Sequence, residues 1–188
     1  MTQTGDQMKI IDTLEESDAR VTVVDVNAGR LQTTLEAFRS MGFLDAASQG
    51  EFTFLLFHVL GASIASLDEI AEVAPFAADA HHFVVKNHIN DTTFFEWDPQ
   101  TYRSYFGQVK SATEIEVPRL NEVAYEQVDY AGVSFREFIE NRANSFVLRG
   151  YVRTWLRNVF NEFDRARILK TLSIRTKAAT GKVAAGAR

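Results

Sequence analysis

The run DAASQGEFTFLLFHVLG, residues 45–61, decides how the rest of the chain is read. After Glu51 it is almost wholly apolar, and a helix that is apolar all round belongs at the centre of a fold. The run therefore predicts a central helix. It would follow an earlier helix over RLQTTLEAFRSMG (30–42), where Leu31, Leu35, Phe38 and Met41 recur at helical spacing before a stopping Gly42. A further helix is expected to begin in FAADAHHFVVKNHI (76–89).

More helix starts come downstream. Ser66 and Glu69 have capping-box spacing, in which each side chain satisfies an orphan amide, and Pro75 would break that helix. In WDPQTYRSYFGQVK (97–110), Asp98 reads as an N-cap with Pro99 at the first helical position. Pro118 opens PRLNEVAYEQVDY (118–130) in the same way, and Ser134 with Glu137 forms a second capping box. ARVTVVDV (19–26), β-branched and alternating, is the one convincing strand signal. With only three prolines in 188 residues, the expected fold is mostly α. It is a single helical-bundle domain over 9–175, with at most a short β element near 19–26. Flexible tails are expected at 1–8 and, as a basic arm, at 176–188.

Apolar residues make up 46 % and charged residues 24 %, a globular composition, and fifteen phenylalanines point to a core or assembly surface built on rings. The absence of cysteine excludes disulfides, thiolate metal sites and cysteine nucleophiles. The first residues, MTQTGDQMKIIDTLEES, have neither the basic start nor the apolar run of a secretion signal. No apolar stretch reaches the roughly 18–20 residues needed to span a bilayer, so a soluble protein with no membrane partner is expected.

Charge is strongly segregated. Residues 131–188 carry twelve Arg and Lys against four acids, net +8, whereas 1–130 (the acidic part, 9–130, with its tail) carries net −13. Opposite signs in two parts of one chain point to a polyanion site, head-to-tail self-association, or both. The basic helical segment, 131–175, centres on NSFVLRGYVRTWLRNVF (144–160). On a helical wheel Val147, Leu148, Tyr151, Val152, Trp155, Leu156, Val159 and Phe163 gather on one side. Arg142, Arg149, Arg153 and Arg157 gather on the other, with Phe146 and Phe160 among them. Guanidinium forks neutralise phosphates and rings stack on bases, so arginines interleaved with rings suit a single-stranded nucleic acid. Arg167, Lys170, Arg175 and Lys177 extend the positive charge into the arm, where salt-dependent phosphate contact needs no fixed geometry. The same face also suits an acidic protein partner, or is simply the solvated side of an amphipathic helix.

Signals for chemistry are thin. His81, His82 and His88 cluster in sequence, and on a continuous helix His81 and His88 would share a face, with Asp79, Asp91, His58 or Glu72 as further candidate ligands. Neither H-E-x-x-H nor a phosphate-cradling glycine loop occurs, and GASIAS (61–66) lacks the G-x-S-x-G elbow. The function expected is a nucleic-acid-binding, self-assembling protein of coat or nucleocapsid type. It would bind RNA or single-stranded DNA, RNA in preference, with little sequence preference, pack against copies of itself, use no cofactor or catalytic residue, and reside in the cytoplasm or a viral particle. An adaptor using the basic helix on an acidic protein, and a metal-dependent enzyme using His81, His82 and His88, are the alternatives. FNEFDRA (160–166) resembles Phe-x-x-Phe-Asp and Arg/Asp features of flexuous filamentous plant-virus coat proteins, over too few residues to assign a family.

Overall fold

The computed structural model describes residues 20–27, 29–60, 77, 80–89 and 112–172. The expected tails, the capping box at Ser66 and Glu69, the break at Pro75, the Asp98–Pro99 helix start, Asp79, Asp91, Glu72, Arg175 and Lys177 all lie outside the described residues.

The fold is not a helical bundle. Two segments expected as helices are strands, and a third strand was not anticipated. Helix α1 (Leu31–Ser40) and α2 (Phe43–Ser48) precede β1 (Leu55–Leu60), β2 (His81–Asn87) and β3 (Ala112–Val117). Then come α3 (Glu122–Ala131), α4 (Phe135–Glu140), α5 (Phe146–Arg165) and α6 (Ile168–Thr171). The strands form a parallel sheet in the order β1-β2-β3. Its register is marked by the His81 amide donating to the Phe54 carbonyl at 3.1 Å and the His88 amide to the Val117 carbonyl at 3.0 Å. Parallel neighbours need a long crossover, and the chain provides residues 61–80 and 88–111 between them.

The reasons are physical. In 45–61 the helix stops at α2, Gly50 takes φ +83°, and the apolar remainder extends with Leu56, His58 and Leu60 buried and Val59 exposed. That alternation belongs to a strand with two unlike faces. β2 is the middle strand and is buried on both faces from His82 to Val85, so its sequence shows no alternation at all. β3, ATEIEV, does alternate, with Ile115 fully buried and Glu116 exposed. Residues 20–27, by contrast, form no strand, and Val21, Val23 and Val24 are exposed. β-branched residues favour an extended chain, but among the described residues no strand pairs with them, so they form no ladder.

The chain forms two compact units, Met1–Phe83 with Thr93–Ala112, and Val84–Thr92 with Thr113–Arg188. In the first, Leu35, Phe38, Leu56 and Ala77 make the core, with Leu31, Phe43 and Phe54 packed on it. Phe43 is the hub of a ring cluster, its centroid 4.9 Å from Phe38 and 4.3 Å from Phe52. Phe57 stacks on Phe83 at 4.8 Å. Such ring pairs contribute about 0.5–1.5 kcal/mol each beyond the area they bury.

In the second unit Leu120, Ala124, Val128, Phe138 and Val152 form the core of a three-helix cluster of α3, α4 and α5. The Asn121 side chain caps α3 by accepting from the Ala124 amide at 3.1 Å, so this helix starts four residues later than Pro118 predicts. Pro118 serves otherwise, its carbonyl accepting the indole N–H of Trp155. The expected box at Ser134 is present, with Glu137 returning the bond to the Ser134 amide at 3.0 Å. The Ser134 amide and hydroxyl together hold the Glu137 carboxyl below its ordinary range.

Candidate nucleic-acid interface

α5 carries the candidate site, and both its ends are fastened. The basic helical segment is interrupted at 141–145, where Asn144 Nδ2 donates to the Phe138 carbonyl at 2.9 Å and the Asn141 side chain accepts from the Ala143 amide at 3.0 Å. At the far end Glu162 accepts from the Glu116 amide at 3.2 Å, and Arg165 donates to the Glu114 carbonyl at 3.3 Å. Glu162 and Arg165 disturb the apolar pattern of the helix for this reason: they satisfy backbone groups along β3, which is an edge of the described sheet. The two also pair with each other, and that hydrogen bond from Arg165 is the main cause holding the Glu162 carboxyl below its usual range.

Between the anchors, Val152 is buried, and Leu148, Trp155, Leu156, Val159 and Phe163 are half-buried. Phe135 meets Trp155 with centroids 4.8 Å apart. Two residues expected on the inner side are instead exposed, Val147 and Tyr151. At about 100° per residue they lie roughly 140° and 100° from the buried Val152, outside the apolar sector.

The outer face holds most of the expected site. Arg153 and Arg157 are exposed, and among the described residues neither has an ion-pair partner. Phe146 is 77 % exposed and Phe160 60 %, so both rings stand in solvent in the arginine sector. From Phe146 to Phe160 the strip runs about 21 Å along the axis, at 1.5 Å per residue. Arg142 is exposed in the turn preceding the helix.

Arg149 departs from the expected ridge. It is half-buried and donates to the Asn144 carbonyl at 3.2 Å and the Ile139 carbonyl at 3.3 Å, closing the C-terminal end of α4. Its guanidinium carbon also lies 5.9 Å from the centre of the Phe146 ring, within cation–π range. It acts first as a structural cation. Arg167 and Lys170 are exposed but lie past the end of α5; Arg167 takes φ +55° before α6, which turns the chain out of the α5 line.

The histidines are rearranged by the strand. Successive residues of β2 point to opposite faces, so His81 is exposed where His82 is buried, and the helical face that would join His81 to His88 does not form. His82 meets His58, while His88 Nε2 lies 3.9 Å from the Glu116 carboxylate. Among the described residues no three His, Asp or Glu side chains converge as a metal would require, and no helix is long and apolar enough to cross a membrane.

Sequence reasoning missed a second exposed set on α3. Glu126 and Asp129 stand in solvent there, as do Val123, Tyr125 and Tyr130, the last 90 % exposed. The signal was available: with Ala124 and Val128 turned inward, the helical period turns the acids and both tyrosines outward. No family model, curated protein or solved structure matches this chain.

Proposed function

We propose that the protein binds single-stranded nucleic acid, RNA in preference to DNA, without strong sequence preference, and assembles with copies of itself as a coat or nucleocapsid protein. The carrying observation is the outer face of α5, where two exposed guanidiniums, without ion pairs among the described residues, stand between two exposed phenyl rings. Both rings stand on the same side of the helix as the arginines, so a strand held by its phosphates would meet rings on which its bases stack. Arg153 and Arg157 supply phosphate contacts; Phe146 and Phe160 supply stacking platforms worth roughly 1–3 kcal/mol per base. Arg142 adds charge at the start of the strip. None of these contacts reads a base edge, so binding tolerates any sequence. Copies arrayed along the strand would place the protein within a particle or a cytoplasmic nucleoprotein.

Fluorescence anisotropy with labelled oligo(rU) and oligo(dT) tests this on the full chain. Wild type is expected to bind both, oligo(rU) more tightly. Arg153→Ala/Arg157→Ala and, separately, Phe146→Ala/Phe160→Ala are each expected to weaken binding about tenfold or more. Wild-type affinity in both variants would contradict the assignment of this face, and no binding by wild type would dismiss nucleic acid as its ligand.

A further inference from the structure

We infer that the exposed face of α3 is a docking surface for α5 of a second copy of this chain. The two helices carry opposite and complementary surfaces. α3, EVAYEQVDYA, contains no basic residue, and its outer face sets Glu126 and Asp129 between Tyr125 on one flank and Val123 and Tyr130 on the other. α5 sets Arg153 and Arg157 among Phe146, Phe160, Val147 and Tyr151. Among the described residues Glu126 and Asp129 have no cation partner, as Arg153 and Arg157 have no anion partner. Within one copy the two sets do not meet, because α3 and α5 face each other with their buried sides.

Spacing agrees with charge. Glu126 and Asp129 are three residues apart and Arg153 and Arg157 four, so each pair lies on one side of its helix within about one turn. Rings and aliphatic groups flank the charges on both, which is the composition of an interface rather than of a solvated face, where charge alone suffices. The pairing is heterologous, since one surface meets a different one, and it leaves each docked pair with one free α3 and one free α5 to continue a row. A helix laid against a helix buries little area, so the association is weak, electrostatic in part and salt-sensitive. The inference goes beyond polynucleotide binding and stands whether or not α5 also takes phosphates.

Sedimentation velocity of the full chain, free of polynucleotide and at low salt, is the experiment. Wild type is expected to associate with rising concentration. Glu126→Lys/Asp129→Lys and Arg153→Glu/Arg157→Glu should each weaken association roughly tenfold or more while leaving the helical circular dichroism unchanged. Mixing the two variants, or combining all four changes in one chain, should restore it, because opposite charges again face each other. Wild type that stays monomeric, single-face variants that associate like wild type, or a mixture that fails to recover would each overturn the inference. Polynucleotide binding is measured separately, so loss of one result does not carry the other with it.

Discussion

His58 Nε2 lies 3.1 Å from His82 Nδ1, the two rings nearly parallel in the buried interior of the first unit. His82 Nε2 donates to the Ala77 carbonyl at 2.8 Å, which fixes the tautomers of both rings. His82 Nδ1 must then accept, and His58 Nε2 must donate to it. A protonated His82 would carry a proton on both ring nitrogens and lose its acceptor, whereas a protonated His58 would still donate through Nε2. Burial first, then the nearby His82, pushes the His58 pKa down to about 4; burial also lowers that of His82, partly offset by the Ala77 bond.

A group whose folded pKa is depressed below its unfolded value binds more protons when unfolded, so acid favours unfolding. Stability supplied by His58 is complete above pH 6.5 and is lost as pH falls towards 4, by about 3 kcal/mol for the one group. Hydrogen exchange, corrected for its intrinsic pH dependence, should show protection of Leu56–Leu60 falling across that interval while α5 stays protected. His58→Gln, which keeps a donor near Nε2 but cannot titrate, should flatten the loss. Protection independent of pH in wild type would contradict the lowered His58 pKa.

Arg149→Ala is expected to destabilise the second unit by about 1–3 kcal/mol, because the Ile139 and Asn144 carbonyls lose a charged donor. Arg153→Ala should change stability by less than about 0.5 kcal/mol, since its side chain is exposed and has no ion pair among the described residues. Urea denaturation separates them. Equal costs would mean the ridge is structurally uniform, contrary to the geometry.

Trp155→Phe keeps a ring against Phe135 but removes the hydrogen bond to Pro118. The expected cost is about 1–2 kcal/mol, seen as a lower urea midpoint with an unchanged slope. Ser134→Ala dissolves the capping box of α4 and should cost about 1 kcal/mol in the same assay.

Because Arg153 and Arg157 are claimed for both a second α3 and a strand of phosphates, the two occupants compete. Adding oligo(rU) should therefore disperse the salt-sensitive association of wild type before larger assemblies form on longer strands. Association unaffected by saturating oligo(rU) would show that the two ligands use different faces.

The amphipathic helices were legible where one face is apolar and the other charged. The period at Leu35 and Phe38, the box at Ser134 and Glu137, and the outward setting of Arg153, Arg157, Phe146 and Phe160 all follow from local spacing. β1 and β2 were not legible, because a short apolar run reads alike as a buried helix or a buried strand. His82 to Val85 are buried on both sides, which erases the alternation that identifies a strand. The strand pattern of 19–26, meanwhile, finds no partner strand among the described residues, and pairing is a long-range matter. Arg149 shows the same limit at the site: its helical position places it with the ridge, but the carbonyls that draw it inward belong to residues on the preceding turn and α4.

The most direct test of the central claim is the salt dependence of oligo(rU) binding. Three phosphate contacts from Arg142, Arg153 and Arg157 imply a log–log slope of about −2 or steeper for a single strand, and removing Arg153 and Arg157 should make it shallower by roughly 1.4. An affinity that does not fall with salt, or a slope unchanged in Arg153→Ala/Arg157→Ala, would contradict the account of α5.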